Sequence, residues 1–119
     1  MGDFRKLKVW MLAKDLAKSI YQITKSESIS NDFRFKDQIR SAAVSISSNI
    51  AEGDELSSNK QSIRHFYIAK GSCAELKSLL ILAFELDYIT QIDYEQYYQL
   101  ADQISIMLYK LIQVRTTKT

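Results

Sequence analysis

No proline occurs anywhere in the 119 residues, and glycine occurs three times, at Gly2, Gly53 and Gly71. Folds rich in strands need many tight turns, and those two residue types supply most of them. A chain this poor in both can reverse direction only a few times. Its abundant Ala, Leu, Ile, Lys, Gln and Glu all favour helix, so an all-α fold is expected. The length suits one domain with its own core, without help from disulfides or metal. A hydrophobic fraction of 46% beside 25% charged residues is globular composition and excludes a disordered chain.

Four segments carry apolar residues at the three-to-four spacing of one helical face. They are predicted over roughly 5–26, 32–55, 60–87 and 91–115. The first presents Leu7, Trp10, Ala13, Ala17 and Ile20. Ser26 to Asp32 then reads as a turn, with side chains able to accept from the free N–H groups of the next helix. The second segment has an apolar stripe of Ile39, Ala43, Ile46 and Ile50, and beside it a small and polar stripe of Gln38, Ala42, Ser45, Asn49 and Glu52. A seam of that kind permits close helix approach and buried hydrogen bonds. The segment is expected to close at Gly53, followed by a polar loop from Asp54 to Asn59. The third presents Ile63, Phe66, Ala69, Cys73, Leu76, Leu80 and Ala83. The fourth opens on the capping-box-like Thr90-Gln91-Ile92-Asp93 and presents Tyr97, Ile104, Leu108 and Leu111. Four such helices bury their stripes most simply as an antiparallel up-down-up-down bundle, one domain over residues 1–119.

Two stretches are apolar all the way round the helix, Val9-Trp10-Met11-Leu12-Ala13 and Leu79-Leu80-Ile81-Leu82-Ala83-Phe84. Something has to cover the outer side. Either the bundle is wide there, or Val9, Trp10, Met11, Leu12, Leu79, Ile81, Leu82 and Phe84 form a contact between copies of the chain; the second reading predicts a homo-oligomer.

Catalytic chemistry has little to stand on. The one histidine, His65, has serine three positions before it, so the Glu-x-x-His pairs of a di-iron bundle are missing. The one cysteine, Cys73, excludes an intrachain disulfide and a zinc spacing and reads as a small buried apolar residue. No glycine-rich phosphate loop exists. His65 sits among apolar neighbours, which points to a structural residue. Glu52, Asp54 and Glu55 read as a solvated acidic loop before they read as a cation site. The expectation is no enzyme, no cofactor and no metal. The charged stretch from Asp3 to Lys8, with no apolar run of about 18 residues, points to the cytoplasm and away from a membrane.

Net charge is +2 and unevenly placed. Residues 1–40 hold nine basic residues against five acidic ones. Lys14, Lys18 and Lys25 share one face of the first segment, and Arg34 and Arg40 extend the field into the second. Lysines on an exposed helical face are usually only solvated. In an oligomer, however, symmetry repeats the patch and makes it a multivalent surface for phosphate backbones. Tyr94, Tyr97, Tyr98 and Tyr109 could stack on bases, though packing accounts for most of them.

The order of residues carries a resemblance. Phe4-x-x-Leu7-x-Val9-Trp10-x-x-Ala13, then Gln38-Ile39-Arg40-x-Ala42-Ala43-x-Ser45-Ile46-x-Ser48-Asn49-Ile50-Ala51-Glu52-Gly53, and Phe66-Tyr67-Ile68-Ala69-x-Gly71-Ser72-x-x-Glu75-Leu76 resemble the four-helix-bundle family of 23S rRNA intervening-sequence proteins over nearly the whole chain. The resemblance implies a ring-shaped homopentamer. It extends to the accessory variability determinant of diversity-generating retroelements, a basic pentamer that binds nucleic acid and a reverse transcriptase. The family usually has proline where this chain has Ser47, so a helix bend there is less enforced.

Within the motif, Gln38, Ser45, Asn49, Glu52, Gly53, Gly71, Ser72 and Glu75 read as a structural seam. Gly71 and Ser72 would let helices approach, Ser45 and Asn49 would satisfy one another or Glu75, and Gly53 would form a left-handed C-cap. Two functions follow from the resemblance and the charge. One is a non-catalytic scaffold that engages structured RNA, or an RNA-containing complex, through phosphate contacts of Lys14, Lys18, Lys25, Arg34 and Arg40. The other is an adaptor that holds a protein partner.

Overall fold

A computed structural model describes residues 3–56 and 58–117. Among them there is no strand; a short 3-10 turn, Phe4–Lys6, precedes five helices, α1 (Lys8–Ile23), α2 (Glu27–Ser30), α3 (Phe33–Glu55), α4 (Asn59–Glu85) and α5 (Gln91–Thr117). The four long helices differ from the expected segments by at most three residues at either end. The exception is α2, a single helical turn in place of the expected plain turn. Its Ile29 is fully buried, so this short piece closes the end of the core and contributes about 2 kcal/mol by burial.

Side chains set most of the helix starts. Asp32 accepts from the Phe35 N–H at 3.2 Å, Ser58 accepts from Gln61 at 3.2 Å, and the Thr90 hydroxyl accepts from Asp93 at 3.1 Å. Each satisfies one of the orphan donors of a helical first turn. Asp32 also ties two helices together, because its other carboxylate oxygen accepts from the Tyr88 hydroxyl at 2.8 Å, while the Tyr88 ring meets Phe35 edge-on. This clamps the end of α4 to the start of α3. The turn that follows α4 passes through Asp87 at φ 59°, a left-handed conformation that aspartate tolerates better than most residues.

α3 packs on α1 and α4, and α5 also packs on α1 and α4, so α1 and α4 lie on one diagonal and α3 and α5 on the other. Cross-links register the pairs. Ser62 meets Gly53 and Ser72 meets Ser45 between α4 and α3, while Lys70 meets Ser105 and Lys77 meets Asp102 between α4 and α5. In both pairs the numbering rises on one helix as it falls on the other. The core inside contains Leu16, Ile20, Ile39, Ile46, Ile50, Phe66, Leu76, Leu80, Ile104 and Leu108, all fully buried. Cys73 is buried among them, and that burial pushes its thiol up to about 12.

Three expectations about the seam and the end of α3 need correction. Gly53 does not cap the helix; it lies inside it, buried, and no glycine among the described residues has a positive φ. Its role is steric, because a methyl group in place of its hydrogen would sit 2.6 Å from Phe66 Cε1 and 3.2 Å from His65 Cβ. Asp54 does not lie in a solvated loop. It is 4% exposed, with one carboxylate oxygen accepting from Arg115 Nη2 at 3.1 Å and the other without a hydrogen-bond partner among the described residues. The Arg115 guanidinium also lies 5.5 Å from the Phe66 ring centre, so the ends of α3 and α5 converge on Phe66. Finally, Gly71 admits no close neighbour, since an added Cβ would have nothing within 4 Å. It faces outward.

Candidate functional site

The seam between α3 and α4 is a chain of polar contacts. Ser72 Oγ donates to Ser45 Oγ at 2.8 Å. Asn49 Nδ2 donates to the Ser45 carbonyl at 2.9 Å and to Ser45 Oγ at 3.1 Å. A carbonyl can only accept, so the amide nitrogen must face it, and Asn49 Oδ1 is thereby turned toward His65 Nδ1 at 2.9 Å. His65 Nδ1 therefore carries the proton, and Glu52 Oε2 stands 3.7 Å from the same nitrogen. Spacing alone places His65 among apolar neighbours; packing makes it part of the seam. The signal that could have found it is its position seven residues before Ser72, on the same helical face. Gln38 and Glu75 are exposed at the edges of the seam and do not join the chain.

The predicted basic residues fall into two groups. Lys14, Lys18 and Arg40 come together beside Tyr21, where two adjoining concavities of about 400 and 530 Å³ run along α1 and over the outside of α3. Ala17, Gln22 and Ser47 complete the first, and Asp37, Ser41, Val44, Ser45 and Ser48 the second. Lys25 and Arg34 do not line either hollow. Lys25 follows the end of α1, so helical periodicity no longer places it, and Arg34 sits exposed in the first turn of α3.

Arg40 is partly committed. Its Nε donates to Thr24 Oγ1 at 2.8 Å and its Nη2 to the Tyr21 carbonyl at 3.3 Å, and its guanidinium stacks 4.5 Å from the Tyr21 ring centre. The Tyr21 carbonyl also accepts from Thr24 Oγ1 at 3.1 Å, so Arg40 adds a second donor to the end of α1. Its Nη1 has no protein acceptor among the described residues. Lys14 reaches Asp15 at 2.9 Å and lies 5.9 Å from the Trp10 ring centre, both solvent-facing contacts of small energetic weight. The site can therefore present cations, hydroxyls and one aromatic ring to a polyanion.

The expected interface residues also divide. Val9 and Leu79 belong to the core of the chain itself, 5% and 8% exposed, because the bundle is wide enough to cover them. Trp10, Leu12 and Phe84 are half-buried; Phe84 stacks on Tyr94 at 5.0 Å, and Trp10 meets Phe4 edge-on. Met11, Ile81 and Leu82 remain exposed. Among the described residues no helix is long and apolar enough to cross a membrane, and no group of three His, Cys, Asp or Glu side chains could hold a metal ion.

Known proteins share this architecture and residue order. Residues 5–110 match the model of the 23S rRNA-intervening sequence protein family. A crystal structure of a protein of unknown function from the S23 ribosomal protein family of Bacteroides thetaiotaomicron is similar at 26% identity and a TM-score of 0.80, over 87% of this chain and 97% of that one. No curated protein matches the chain.

Proposed function

The chain belongs to the 23S rRNA-intervening sequence protein family, and on that premise we propose that it is a non-catalytic oligomeric scaffold that associates with structured RNA through phosphate contacts. The observation that carries this reading is the placing of Lys14 and Lys18 on one hollow and of Arg40, with several hydroxyls, on the adjoining one, Tyr21 lining both. Lys25, just past α1, and Arg34, in the first turn of α3, lie outside both hollows and are read as widening the cationic field. The protomer is read as a single domain, an antiparallel up-down-up-down four-helix bundle, working in the cytoplasm as a ring-like homopentamer. Opposite numbering across the α3–α4 and α4–α5 pairs supports the topology. Exposed Met11, Ile68, Ile81, Leu82 and Ile106 support burial against other copies.

Light scattering coupled to size exclusion, with and without a structured RNA at low and moderate salt, tests the proposal. A pentamer that shifts with RNA at low salt and releases it as salt rises is the expected result. A monomer, or RNA binding indifferent to salt, would overturn it. A second reading, an adaptor for a protein partner, is favoured by Phe33 at 69% and Ile92 at 76% exposure on the end clamped by Tyr88 and Asp32. Partner capture that survives nuclease treatment, from a pentamer indifferent to RNA, would select it.

A further inference from the structure

The polar seam and the groove meet at Ser45. Its hydroxyl oxygen accepts from Asn49 Nδ2 and from Ser72 Oγ, so both of its lone pairs are taken. Its own O–H must then be given away, and no protein acceptor for it exists among the described residues. Ser45 lines the 530 Å³ hollow over α3, together with Arg40 and its unused Nη1. The half-buried seam thus pre-orients a donor whose natural acceptor lies outside the protein. At the same hollow Asp37, one turn before Arg40, offers an exposed carboxylate as an acceptor.

We propose that this hollow is a receptor for one ribonucleotide unit of an RNA strand. A phosphate oxygen accepts from Ser45 and Arg40, and the ribose 2′-hydroxyl donates to Asp37. A site with donors alone would take any phosphate, and the carboxylate would only repel it. Donors and a single acceptor within one hollow match the sugar and phosphate of RNA, where the 2′-hydroxyl is the group that separates RNA from DNA. Asn49 and Ser72 are positioning residues that act through Ser45. The inference rests on the reading of the chain as an RNA-associated protein and names how that reading becomes selective.

The test measures fluorescence anisotropy of the full chain with a short labelled uridylate RNA and with the deoxyuridylate DNA of the same length. The wild type should bind the RNA several-fold tighter. Ser45→Ala should weaken RNA binding by roughly ten-fold, the scale of one lost hydrogen bond to a charged group. Asp37→Ala changes an exposed residue that the fold does not need, and should bring RNA and DNA to equal affinity while leaving DNA binding equal or stronger. Equal affinity of the wild type for RNA and DNA, an RNA preference that survives Asp37→Ala, or an unchanged affinity in Ser45→Ala would each overturn the assignment. Failure of the wild type to bind either strand would instead refute the RNA-associated reading itself, and this site with it.

Discussion

α3 touches both of its neighbours, but in opposite ways. Against α4 it is closed: Gly53 admits the Phe66 ring, Ser62 donates to the Gly53 carbonyl at 2.6 Å, and the chain from Ser72 to His65 fills the rest. Against α1 its contact is riveted at one end by Arg40 on Tyr21 and Thr24, and beside that rivet it is open, with cations and hydroxyls left to solvent. A helix that stabilises the fold with one flank is free to present chemistry on the other. The two flanks should therefore answer mutation differently.

The largest expected effect is on the closed side. Phe66→Ala should cost about 3–5 kcal/mol in chemical denaturation, because the side chain is fully buried and the ends of α3 and α5 both converge on it. Gly53→Ala should follow at about 2 kcal/mol, since its Cβ would overlap the fully buried Phe66 ring. Asn49→Ala should cost about 1–2 kcal/mol by leaving Ser45 and His65 without their partner. A loss of RNA binding with unchanged stability in that variant would move Asn49 from the closed flank to the open one.

Gly71 makes a control of opposite sign. Gly71→Ala should leave the protomer intact and raise its melting temperature by an amount worth up to about 1 kcal/mol, because the added methyl meets nothing and alanine favours helix. A clear loss of stability or of assembly would mean that another chain approaches closely there. On the open side, Lys18→Ala should change stability by less than about 0.5 kcal/mol, yet lower the dependence of RNA affinity on salt by about one phosphate contact.

The buried thiol provides a pH test of the core. Burial raises the Cys73 pKa in the folded chain, so its contribution is fully present below the ordinary thiol value and is lost as pH rises past about 9, where the unfolded chain ionises first. Stability measured from pH 8 to 10 should fall more steeply in the wild type than in Cys73→Ala. Parallel slopes would mean that the thiol is reached by solvent.

How much of this is legible in the sequence depends on what each residue needs. The stripes Ile39, Ala43, Ile46, Ile50 and Ile63, Phe66, Ala69, Cys73 are periodic, and periodicity is a property of the chain alone; they define the inward faces of α3 and α4. The caps at Asp32 and Thr90 are also readable, because a cap is satisfied within three residues. Gly53 and Asp54 look locally like a C-cap and a loop, and are neither. Their partners, Phe66 and Arg115, are respectively 13 and 61 positions away, and no local pattern announces them. His65 shares a helical face with Ser72 by spacing, but its partner Asn49 lies 16 positions away on another helix, and only packing brings the two together.

By itself, then, the sequence determined the helical class, the long amphipathic segments, the inward faces and the family, all of which follow from local spacing or from residue order. Tertiary structure alone decided which glycine is a contact and which is a surface, where the lone histidine sits, and which cations share a groove. Those are properties of pairs far apart in the chain, and packing brings them within a few ångströms of each other.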